Sequence, residues 1–86
     1  MRYVVMTHLP PEEVLERARR FFQERGGLDL VEETDATLAF SSGDGTAKIT
    51  ARREYDHTNV RAETDRVVGL DVTDVTKRFL YTLEHV

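Results

Sequence analysis

Residues 37–52 read Thr37-Leu38-Ala39-Phe40-Ser41-Ser42-Gly43-Asp44-Gly45-Thr46-Ala47-Lys48-Ile49-Thr50-Ala51-Arg52. Apolar and polar side chains alternate on both sides of a glycine-bearing tetrapeptide, Ser42-Gly43-Asp44-Gly45. A period of two is the spacing of a strand with one buried face, and glycine supplies the backbone freedom that tight turns need. The stretch therefore reads as a hairpin, with Leu38, Phe40, Ala47, Ile49 and Ala51 on its buried face. The alternation extends outward in both directions. Leu28 and Leu30 flank Asp29 ahead of the turn Thr34-Asp35, and Val60 and Ala62 alternate with Asn59, Arg61 and Glu63 beyond the turn Tyr55-Asp56-His57. Four consecutive strands joined by short connections make an antiparallel meander.

Two helices and one more strand surround the meander. Arg2–Thr7 reads as a short strand that is apolar on both faces, Val4 and Met6 to one side and Tyr3 and Val5 to the other. Proline in the first turn, Glu12 and Glu13 behind it, and a Val14, Leu15, Ala18, Phe21, Phe22 stripe predict a helix over residues 11–25. Leu9 and Val14 have the spacing of a hydrophobic staple around Pro10, and Glu13–Arg17 and Glu16–Arg20 are i,i+4 pairs in the favourable order. Gly26-Gly27 ends the helix, with Gly26 expected in the left-handed conformation. Gly69-Leu70-Asp71 breaks the strand pattern. A second helix follows over residues 72–84, capped by Asp71, with Val72, Val75, Phe79, Leu80 and Leu83 as its stripe.

The predicted order, strand, helix, four strands, helix, is not that of a ferredoxin-like domain, which has two strands between its helices and ends on a strand. It resembles half of a TATA-box-binding-protein-like sheet and a shortened helix-grip domain of the START or polyketide-cyclase type. The likeness rests on element order along the whole chain and on no motif, so it transfers no functional residue. It implies an α+β domain, β-α-β4-α, spanning residues 1–86. The implied sheet has five antiparallel strands in the order 1-5-4-3-2, with both helices on one face. That face is expected to carry Val4, Met6, Leu30, Leu38, Phe40, Ile49 and Val60. The outer face is expected to carry Tyr3, Val5, Val31, Thr37, Ala39, Ser41, Lys48, Thr50, Arg52, Asn59, Arg61 and Glu63. Small strand residues, Ala47, Ala51 and Ala62, opposite Phe21, Phe22 and Phe79 predict a filled core.

Composition narrows the chemistry. Leu, Ile, Val and Phe supply 23 of 86 residues, enough for a folded single domain. With no cysteine there is no disulfide framework, thiol nucleophile or thiolate zinc site. The longest apolar run, Tyr3-Val4-Val5-Met6, is far short of the ~20 residues of a membrane helix, and no secretion signal is recognised, so the expected location is cytoplasmic. Ten of the twelve basic residues are Arg, and Gln23 and Asn59 are the only side-chain amides, a composition that leans towards a thermophilic or GC-rich bacterial source. No nucleophile–base constellation or phosphate loop is present, so no catalytic residue and no cofactor are assigned. His8, His57 and His85 are all expected at one end of the domain, with Asp35, Asp56 and Glu84 nearby. His8, His57, His85 and Asp56 are the candidate metal ligands, set against the plainer reading of exposed loop histidines.

The expected function is a non-enzymatic interaction or accessory module. Its partner is a second copy bound through the unguarded first strand, with Tyr3 and Val5 as interface residues, or another protein. The alternative is a helix-grip-type binding protein that takes a small apolar ligand between the second helix and the sheet, against Phe79, Leu83 and Phe40. Neither membrane nor nucleic acid is an expected partner. Net charge is −4, and acidic residues interleave with the basic ones. Duplex DNA at physiological salt should therefore give no measurable shift in fluorescence anisotropy, and micromolar binding with a steep salt dependence would contradict this.

Overall fold

The computed structural model describes residues 1–43, 45–65 and 71–84. Its elements are β1 (Arg2–Thr7), α1 (Pro11–Glu24), β2 (Asp29–Glu33), β3 (Thr37–Ser42), β4 (Gly45–Glu54), β5 (His57–Asp65) and α2 (Asp71–Glu84). Asp44, Gly69, Leu70, His85 and the Asp71 side chain lie outside the described residues, and with them the expected cap of α2. The strands form one antiparallel sheet in the order β1-β5-β4-β3-β2, as element order predicts.

Both helices pack on one face of this sheet. Phe22 of α1, Phe79 of α2 and Phe40 of β3 are all fully buried. Phe22 stacks on Phe40 at a centroid distance of 4.7 Å and lies 5.5 Å from Phe79. Phe21, half-buried at the seam between the helices, sits 5.7 Å from Phe79. Ala47, Ala51 and Ala62 are buried beneath them, small residues that let the helices settle close to the sheet. Phe22 thus lies between Phe40 and Phe79.

The ends of α1 follow from its sequence with one change. Pro10 is the N-cap, in an extended conformation, and Val14 is fully buried with Leu9 packed against the core beside it. The Glu13–Arg17 pair forms at 2.9 Å and Glu16–Arg20 at 4.0 Å. At the C-terminus the left-handed residue is Gly27, with φ +66°, and not Gly26. Gly26 is needed for a different reason: a Cβ there would stand 2.9 Å from the Phe22 carbonyl oxygen and from Leu28 Cδ1. Both glycines are used, one for conformation and one for space.

The face assignment of β1 is a correction. Val4 and Met6 are 53% and 57% exposed on the open face, whereas Tyr3 and Val5 are half-buried against the helices. Directly paired residues in a sheet share a face, and Tyr3 and Val5 pair with the buried Ala62 and Val60. The other expected face positions hold. β2 carries a bulge between Leu30 and Glu32, which leaves Val31 62% exposed and turns Glu33 towards Arg19 of α1, with which it forms an ion pair.

Phe79 has ring partners on α1 and no exposed surface. Phe79→Ala should cost about 3–5 kcal/mol, a large part of the stability of a domain this size. Thermal or urea denaturation measures the loss, and a melting temperature within a degree or two of the wild type would contradict the burial.

Candidate functional site

The hydrogen-bond phase of β1 decides what its free edge offers. The Met1 amino group donates to the Thr64 carbonyl at 2.7 Å, and the Thr64 N–H donates to the Met1 carbonyl at 2.8 Å. Antiparallel pairs alternate between those that exchange both backbone bonds and those that exchange none. Starting from Met1–Thr64, the bonded pairs are Tyr3–Ala62, Val5–Val60 and Thr7–Thr58, in the observed register. The backbone groups of Arg2, Val4 and Met6 therefore point away from β5. Among the described residues, β1 has no other strand beside it.

These same three residues project their side chains onto the open face of the sheet, and all three are exposed. The edge thus presents a row of unpaired backbone donors and acceptors flanked by Val4 and Met6, with Arg2 the only charged side chain in the strand. Arg2 leans back to Glu63 of β5 at 3.6 Å. On the helix side, Lys77 of α2 places its ammonium 5.8 Å from the Tyr3 ring, so α2 covers the inner face of β1. The expected interface residues Tyr3 and Val5 are accordingly core-facing, and Val4 and Met6 are the ones sequence reasoning assigned to the wrong side. Arg2 was the available signal, because it shares the phase of Val4 and Met6 and a charge marks the solvent side.

The opposite edge is built differently. Strand β2 carries Asp29 and Glu32 exposed on the open face, and its bulge interrupts the regular ladder. Both features discourage pairing with a further strand.

The histidine end of the domain is partly as expected. His57 Nδ1 lies 3.3 Å from Asp56 Oδ1 at the β4–β5 turn, and His8, just past β1, is near enough for its charge to act on Asp56. His85 lies outside the described residues. Among the described residues no three His, Asp or Glu side chains come together as a metal-binding group. Thr58, the next residue, is fully buried and donates its hydroxyl to the Leu9 carbonyl at 2.6 Å, tying the β1–α1 connection to β5. Tyr55 at the turn has φ +56° and a 97% exposed side chain, a conformation that costs a non-glycine residue about 1–2 kcal/mol.

No protein-family model matches the chain, and no curated protein shows a match to it.

Asp56 should titrate below the usual carboxylate range. The cause is first the hydrogen bond from His57, then that from its own backbone N–H, with the His57 and His8 charges adding to them against a desolvation that acts the other way. A lowered folded-state pKa means this contribution is complete above the unfolded-state value and is lost as pH falls through the folded one. In an NMR titration, His57→Ala should move the Asp56 pKa up towards that of a free aspartate. An unmoved titration would show that the hydrogen bond is not its cause.

Proposed function

We propose that the chain is a non-enzymatic interaction module that acts as a homodimer joined through β1. One observation carries the reading: the residues whose backbone groups are free at the edge, Arg2, Val4 and Met6, are also those whose side chains are exposed. An edge of this kind is a template for another strand. The β1 edge lacks the acidic guards and the bulge of the β2 edge, so a second copy of β1 is the complementary partner.

The geometry of such a dimer is constrained. Antiparallel pairing of a strand with its own copy requires a two-fold axis perpendicular to the sheet, which keeps the helices of both subunits on the same side. Directly opposite residues must then have matching phase. Centring the pair on Val4 sets Val4 against the partner's Val4 and Arg2 against the partner's Met6. All six outward-facing residues then exchange backbone hydrogen bonds. The apolar side chains of Val4 and Met6 come together across the axis on the open face. The product is a continuous ten-stranded saddle, similar in outline to the TATA-box-binding protein.

Light scattering after size exclusion should give twice the monomer mass of 9.9 kDa. Val4→Lys should shift the equilibrium to monomer, because it sets two like charges directly opposite each other. Val4→Pro should do the same by removing a donor, while keeping the fold, since that N–H faces away from β5. Val5→Lys is unsuitable, because it places a charge against the helices. A wild-type chain that remains monomeric at high micromolar concentration would overturn the proposal.

A further inference from the structure

The open face of the sheet segregates charge. A groove of about 380 Å³ on it is lined by Lys48, Thr50 and Arg52 of β4, Asn59, Arg61 and Glu63 of β5, and Thr37 of β3. Three cations and one carboxylate line it, in a chain whose net charge is −4. Glu63 stands directly across from Lys48 but pairs with Arg2 on its other side. Lys48, Arg52 and Arg61 form no ion pair among the described residues, whereas Arg17, Arg19, Arg20 and Arg78 on the helices all do. The pattern is not a generally basic surface. Arg25, Arg53 and Lys77 also lack an ion pair among the described residues, but Lys48, Arg52 and Arg61 are the three that share the groove of the sheet.

The spacing of the groups describes a ligand. Lys48 and Arg52 share a face four residues apart, about 13 Å along the strand. Arg61 stands directly opposite Thr50, midway between them, and Thr50 is in turn opposite Thr37, their hydroxyl oxygens 3.3 Å apart. Asn59 stands opposite Arg52. One oxyanion seated over Thr50 is within reach of Arg61 and one end of the groove, and a second group is needed to engage the other end. Guanidinium groups bind carboxylate and phosphate oxygens with two donors each, and the hydroxyls and the amide add neutral donors.

We infer that this groove binds a small molecule carrying two oxyanion groups, carboxylate or phosphate, between Lys48, Arg52 and Arg61. Its volume falls near the lower end of small-molecule sites, which run from about 300 to 1,000 Å³. No aromatic side chain lines it, so it offers no platform on which nucleobases stack.

The test is an NMR titration of the full chain with inorganic pyrophosphate, with malonate, and with inorganic phosphate, at about 0.15 M salt to suppress diffuse attraction. Saturable shifts of the Thr37, Thr50, Asn59 and Arg61 amides are expected with at least one of the two dianionic probes, with Kd at or below about 1 mM, and with weaker binding of inorganic phosphate. Pyrophosphate alone would mark the phosphate class, and malonate binding as well would include carboxylates. Arg61→Gln and Arg52→Gln should each weaken binding about fivefold to tenfold with melting temperature unchanged, since both side chains are exposed. Arg20→Gln on α1 should leave it unaltered. The inference fails if no probe saturates by about 10 mM, or if Arg20→Gln weakens binding as much as Arg61→Gln, either of which is the behaviour of diffuse attraction. It fails equally if an acidic peptide or a single-stranded oligonucleotide binds to the same residues more tightly than both dianions.

Discussion

Met1 and Thr64 exchange both of their backbone hydrogen bonds, and this pair sets the phase of the whole first strand. Slipping β1 by one residue against β5 would exchange its two faces. In the observed register Tyr3 and Val5 join the core, Thr7 is buried, and Arg2, Val4 and Met6 face outward with their free backbone groups. The same pairing places β1 beside the last strand of the meander. Among the described residues, the sheet edges are then the outer sides of β1 and β2.

The core depends on a division of size between layers. Phe40, Phe22 and Phe79 form a continuous aromatic contact from the sheet through α1 to α2, while alanines on β4 and β5 keep the sheet surface low beneath the helices. Two buried hydroxyls bond to backbone carbonyls, one across a connection and one within a helix. Thr58 holds the Leu9 carbonyl, and Thr76 returns its hydrogen bond to the Val72 carbonyl at 2.8 Å within α2. Each satisfies itself on backbone, so neither leaves an unpaired polar group in the interior.

Period-two alternation made the meander legible from sequence, and 3.6-residue stripes made both helices legible, because each of those elements has one polar side. The order of the strands was what the resemblance in element order implied, and the sheet has that order. The phase of β1 was not legible from its apolar residues, since both faces are apolar. Only the charge on Arg2 distinguishes them. The left-handed residue after α1 was displaced by one because two glycines stand together, and packing against Phe22 and Leu28, invisible in the sequence, claims the first of them. The open-face groove was legible residue by residue but not as a site. Lys48, Arg52, Arg61 and Glu63 read as mixed charge until the register showed Glu63 engaged by Arg2.

The two sheet edges differ in a way that bears on how association ends. Pairing β1 with a neighbour's β2 is heterologous: every added subunit exposes a fresh edge, and the product is an open fibre. The bulge at Val31 breaks the regular spacing of donors on β2, and Asp29 and Glu32 must be brought close to another chain for such a contact to form. Pairing β1 with its own copy is isologous and consumes the only unguarded edge of each subunit. What remains outermost on both sides is β2, with its acids and its bulge. In the proposed dimer the free edge of β1 would therefore be used up and only the guarded β2 edges would remain, so it would have no unguarded edge from which to grow.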